Sequence, residues 1–169
     1  FKDSGYHKLI LWFANINAAL NVVFAELLIR NLNGPFPFIM NVPGNYIGNT
    51  GQQNMFAMWI SMAIMNGIYL HVAFGSEEGK NHQSKWMQWG NLFILAVNAW
   101  GLWNSTSRSG ILALAAGSAV LFLIVLRSGS KPKLKRMLQM FAVIILMLAM
   151  TLGLGHVLHT GRSDALINK

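Results

Sequence analysis

The stretch WMQWGNLFILAVNAWGLWNSTSRSGILALAAGSAVLFLIVL (residues 86–126) holds two apolar runs, 86–103 and 111–126, parted by the seven residues NSTSRSG. A helix needs about 20 mostly apolar residues to cross a bilayer. The first run comes close to that length, and the second reaches it by taking in Ser107–Gly110. A connector this short permits only a tight reversal between two antiparallel helices. Working outward, three more apolar segments of similar length appear: Leu9–Ile29, Met55–Phe74 and Met137–Leu158. The expected fold is all-α, a polytopic membrane bundle of about five spans (9–29, 55–74, 86–103, 111–126 and 137–158). No internal repeat or low-complexity linker divides residues 1–169, so one transmembrane domain is expected.

Composition agrees. The chain is 54% hydrophobic and 11% charged, where soluble domains carry roughly 25% charged residues. The net charge of +8 belongs to the membrane surface rather than to nucleic acid, because basic residues in membrane proteins gather on the cytoplasmic side. Lys2, Lys8, Lys80, Lys85, Arg127, Lys131, Lys133, Lys135 and Arg136 fall on one side of the expected spans, and Arg30, Arg108, Arg162 and Lys169 on the other. The richer side is cytoplasmic, which puts the N-terminus in and the C-terminus out. There is no cysteine, which removes disulfides and thiolate metal sites. Phe1 opens the chain with no signal-peptide pattern ahead of the first span, so the sequence reads as a processed or partial product.

The outer side then carries the loop 30–54, the NSTSRSG turn and the tail from His159. The loop holds Phe36, Phe38, Ile39 and Met40 among its Gly, Pro and Asn residues, a composition that packs on helix ends rather than standing in water. Arg108 is the sharpest feature of this face. As a purely structural residue it snorkels or caps at the interface. As a functional one it stands among Ser105, Thr106, Ser107 and Ser109, beside the start of the next helix. Backbone N–H groups and the helix dipole favour an anion there, and a guanidinium fork suits a phosphate or pyrophosphate. A second polar run, GNTGQQN (48–54), enters the next span directly and brings Gln52, Gln53 and Asn54 to its outer end, either as caps or as amide donors to a sugar or phosphate.

The order of these elements resembles the O-antigen ligase and Wzy-type polymerase superfamily. Its G-x-F-x-N-x-N-x-x-A pattern is approximated by Gly48–Ala57, its S-R-G by Ser107-Arg108-Ser109, with glycine arriving one residue later at Gly110, and its later G-R pair by Gly161-Arg162. The likeness covers roughly residues 40–165. It implies metal-independent, cofactor-free glycan transfer from an undecaprenyl-pyrophosphate carrier at the periplasmic face of the bacterial inner membrane. It implies Arg108 and Arg162 as the pyrophosphate pair, and Gln52 and Asn54 as lining residues, with Ser107 and Ser109 beside them. The family has ten or more spans. Five spans favour an alternative, a non-catalytic accessory subunit packed against other membrane subunits.

Histidines offer less. His156 and His159 are three apart at the outer end of the fifth span, either as structural residues or with His159 as a base. His71 lies near the cytoplasmic end of the second span, too far away to share a haem or pigment with His156, although either can ligate a tetrapyrrole singly. Glu26, an ionisable residue inside an apolar run, is expected to pair with Arg30 at the outer interface. Asn15, Asn17, Asn21, Asn66, Asn91 and Asn98 are expected to hydrogen-bond between helices, and Ala113, Ala116 and Gly117 to let another helix approach closely.

Overall fold

The computed structural model describes residues 4–40, 42, 44–75 and 82–157. Their regular structure is entirely helical: α1 (Ser4–Ile29), α2 (Gln53–Gly75), α3 (His82–Asn104), α4 (Arg108–Arg127) and α5 (Lys131–Val157). Each expected span falls within one helix, apart from Leu158, which lies outside the described residues. Three stretches, Tyr6–Ile29, Gln53–Val72 and Arg108–Arg127, are long and apolar enough to cross a membrane. Polar residues at the ends extend the helices beyond the apolar runs, because hydrogen bonding and capping decide where a helix stops.

α1 ends at Asn31, which takes the left-handed conformation at φ 57°. The Leu32 N–H reaches back to the Leu27 carbonyl at 2.8 Å, and the Asn31 N–H to that of Leu28 at 3.1 Å. This is a Schellman closure with asparagine in the place glycine usually holds. The loop that follows packs on the helix ends: Ile39 and Ile47 are buried against Leu28, Phe24 and Leu27. Asn49 braces it, donating to the Phe38 carbonyl, accepting from Met40 N–H, and donating its own N–H to Asn21 Oδ1.

Among the described residues α2 and α3 each pack against all four other helices, with α2 making the largest share of the contacts, whereas α1 meets α2 and α3. The buried face of α2 is Phe56, Ala57, Ile60, Ile64 and Ile68. Close approach depends on small residues at the crossings, as in membrane helix pairs generally. α3 meets α1 where Gly101 lies on Val22, and α4 meets α2 where Gly110 lies on Ala57. Asparagines join the helices at mid-depth. The Asn15 amide, oriented to satisfy both its groups, donates to the Ala63 carbonyl at 2.9 Å and accepts from Gly67 N–H at 3.2 Å. Asn91 donates to the Gly67 carbonyl at 2.8 Å. Asn21 instead serves the loop between α1 and α2, and Asn66 lines an open groove of about 300 Å³ with Met58, Ser61, Met62, Met65 and Ala113.

α4 buries only Gly110 and Val125. Of the small residues expected to admit another helix, Gly117 is occupied within the bundle by Met65 of α2, while Ala113 and Ala116 are exposed.

Candidate functional site

Two segments distant in sequence meet at one end of the bundle: the start of α2 and the turn between α3 and α4. The turn is built by its hydroxyls. Ser105 is fully buried; its Oγ donates to the Leu102 carbonyl at 2.6 Å and accepts the Ser107 N–H at 3.3 Å. Ser107 is the N-cap of α4, extended at φ −80°, ψ 111°, and its Oγ accepts the Gly110 N–H. That satisfies one of the donors a helix start leaves open. Between them Thr106 is left-handed at φ 55°, a conformation a β-branched residue rarely adopts.

Gln53 of α2 ties down this strained residue. Its Nε2 donates to the Ser105 carbonyl and, at 2.8 Å, to Thr106 Oγ1. One position on, Asn54 Oδ1 accepts the Ser107 hydroxyl at 3.1 Å. With that proton committed, the 2.9 Å contact between Ser107 and Ser109 is a donation from Ser109. The exposed Asn54 amide nitrogen and Arg108, which takes the first position of α4 and is also exposed, have no hydrogen-bond partner among the described residues.

The expected residues Asn54, Ser107, Ser109 and Arg108 are thus brought together. Gln52 plays a different part: its carbonyl accepts Phe56 N–H at 3.0 Å and Thr50 Oγ1 at 3.1 Å, starting α2, while its side chain is exposed. Gln53, expected as a cap or an amide donor to a ligand, instead spends its amide on the turn, and with Asn54 it joins the two segments. Arg162 and His159 lie outside the described residues.

Thr106→Gly tests the strain. Glycine removes the steric cost of the left-handed conformation, about 1 kcal/mol, at the loss of the Gln53 contact. Thermal unfolding in detergent is expected to shift upward or stay level. A clear downward shift would show that the Gln53–Thr106 hydrogen bond outweighs the strain.

A second polar cluster sits at the same end. Glu26 pairs with Arg30, Oε2 to Nε at 3.1 Å, as expected. Its other oxygen accepts two further hydrogen bonds, from Tyr46 OH at 2.9 Å and from Trp100 Nε1 at 2.6 Å. Tyr46 is buried and meets Phe56 edge-on, with ring centroids 5.7 Å apart. One carboxylate therefore joins α1, the loop between α1 and α2, and α3. Glu26→Ala leaves an indole N–H and a phenol without their acceptor, which costs about 1–3 kcal/mol. Glu26→Gln, which keeps one oxygen acceptor, is expected to retain most of that stability. Equal unfolding midpoints for the wild type and Glu26→Ala would show that the cluster holds nothing.

No protein-family model, curated protein or solved structure matches this chain.

Proposed function

We propose that the chain is part of a membrane glycosyltransferase of the O-antigen ligase kind. It would cross the bacterial inner membrane five times, N-terminus in and C-terminus out, and transfer glycan from an undecaprenyl-pyrophosphate carrier at the periplasmic face. The supporting observation is the meeting of Asn54, Ser107 and Ser109 beside Arg108, the first residue of α4, which has no partner among the described residues. A helix start beside an arginine fork offers N–H donors, a favourable dipole and bidentate charge to a pyrophosphate.

In the reaction, an acceptor hydroxyl attacks the anomeric carbon of the lipid-linked sugar. The new C–O bond forms as the bond from that carbon to the pyrophosphate oxygen breaks. The acceptor's proton passes to a base, for which His159 is the sequence's candidate. The leaving pyrophosphate gains charge, and Arg108, with Arg162, offsets it in the transition state. Asn54 donates to a sugar or phosphate oxygen, while Gln53 and Thr106 hold the turn in place. The test is transfer from the lipid-linked donor by membranes carrying Arg108→Lys; unchanged transfer would remove the assignment.

The alternative is an accessory subunit without catalysis. The observation in its favour is the outward face of α4, where Leu112, Val120, Leu123 and Ile124 are all exposed.

A further inference from the structure

The opposite end of the bundle, one length of α4 from Arg108, carries a feature that glycan transfer leaves unused. Residues 127–136 contain Arg127, Lys131, Lys133, Lys135 and Arg136 and no acidic residue. α5 begins at Lys131, so Lys131 and Lys133 stand in its first turn, where no acid is present. The helix dipole is positive there and disfavours cations. An anion arriving at this end relieves both the mutual repulsion and the conflict with the dipole.

The surface is also shaped. Lys131 and Lys135, one turn apart, share one face of α5 with Leu134, Leu138, Gln139 and Ala142, along a shallow groove wide open to the surroundings. Its lining is basic where α5 starts and becomes mostly apolar over the next two turns. Lys133 is exposed but does not line it.

We infer that this groove is a binding site for an anionic phospholipid, with the phosphate on Lys131 and Lys135 and an acyl chain along Leu134, Leu138 and Ala142. Charge complementarity selects the headgroup, and the apolar continuation selects a lipid over a free anion. Basic residues beside a membrane surface attract anionic lipids at about 1 kcal/mol each. The inference rests on α5 crossing the membrane, as in the five-span reading, and not on the transferase chemistry.

The experiment reconstitutes the full chain in vesicles of equal phosphatidylglycerol and phosphatidylcholine and counts lipids retained after mild detergent release, by native mass spectrometry. Wild type is expected to retain phosphatidylglycerol in preference. The double variant Lys131→Gln, Lys135→Gln should lose that preference by roughly thirty-fold, from two lysines at about 1 kcal/mol each. Lys133→Gln should lose no more than about fivefold, the general surface attraction of one lysine. Leu138→Trp, which fills the apolar path without changing charge, should also lower retention. Equal retention of the two lipids by wild type, or equal losses from Lys133→Gln and the double variant, overturns the site. So does full retention by Leu138→Trp. A spin label at Ala142→Cys reports separately on the span: a label in water overturns α5 as a membrane helix, whereas one at acyl depth without lipid preference overturns the lipid site alone.

Discussion

Arg108→Lys is expected to lower glycan transfer by about 10²–10³-fold, the range for removing one well-placed transition-state donor. The substitution keeps the charge and removes the planar fork. An ammonium is a point charge on a flexible stem and cannot hold two phosphate oxygens in parallel. Thermal stability should not change, because Arg108 is exposed and has no partner among the described residues. Its place in the first turn of α4 is, if anything, unfavourable for a cation, so folding does not explain it. Single-turnover transfer from a lipid-linked donor, read beside an unfolding curve, separates the possibilities. Lost transfer with unchanged stability supports the pyrophosphate role. Unchanged transfer removes it, and a parallel fall in stability reassigns the residue to structure.

Gly101→Ala is expected to destabilise the bundle by about 1–3 kcal/mol, the cost of overpacking a well-filled interior. A Cβ at Gly101 would lie 2.3 Å from Val22 Cγ2, 3.0 Å from Cγ1 and 3.2 Å from Cβ. All three atoms belong to one β-branched side chain, whose χ1 has little freedom in a helix. α3 must therefore move away from α1. Trp100, the neighbour of Gly101, would move with it and strain its hydrogen bond to Glu26. The double variant Gly101→Ala, Val22→Ala relieves the clash and should recover most of the loss, with a coupling of about 1 kcal/mol or more between the sites. Additive losses in denaturant unfolding would show that the α1–α3 contact is not set at this crossing.

The candidate site was legible where its signals were local. Ser107 and Ser109 flank Arg108 in the chain, and hydroxyls before an apolar run are a helix-start signature. The Glu26–Arg30 pair was equally legible, because i and i+4 are neighbours on any helix. Gln53 with Thr106, or Glu26 with Trp100, spans 53 or 74 residues, and no periodicity connects such positions.

By itself the sequence determined that this chain is helical, and it located five helices to within a few residues at most ends. Apolar runs of bilayer length are a local property, and the polar stretches between them leave room for little else. The tertiary structure decided which side of each helix faces inward. A span that is apolar all round carries almost no amphipathic signal to set its rotation, so Gly117 looked as available to a partner as Ala116 until Met65 was seen to occupy it. The rotations of α1 and α3 bring Trp100 to the Glu26 carboxylate, where Tyr46 of the intervening loop joins it, and close packing at Gly101 holds those rotations in place.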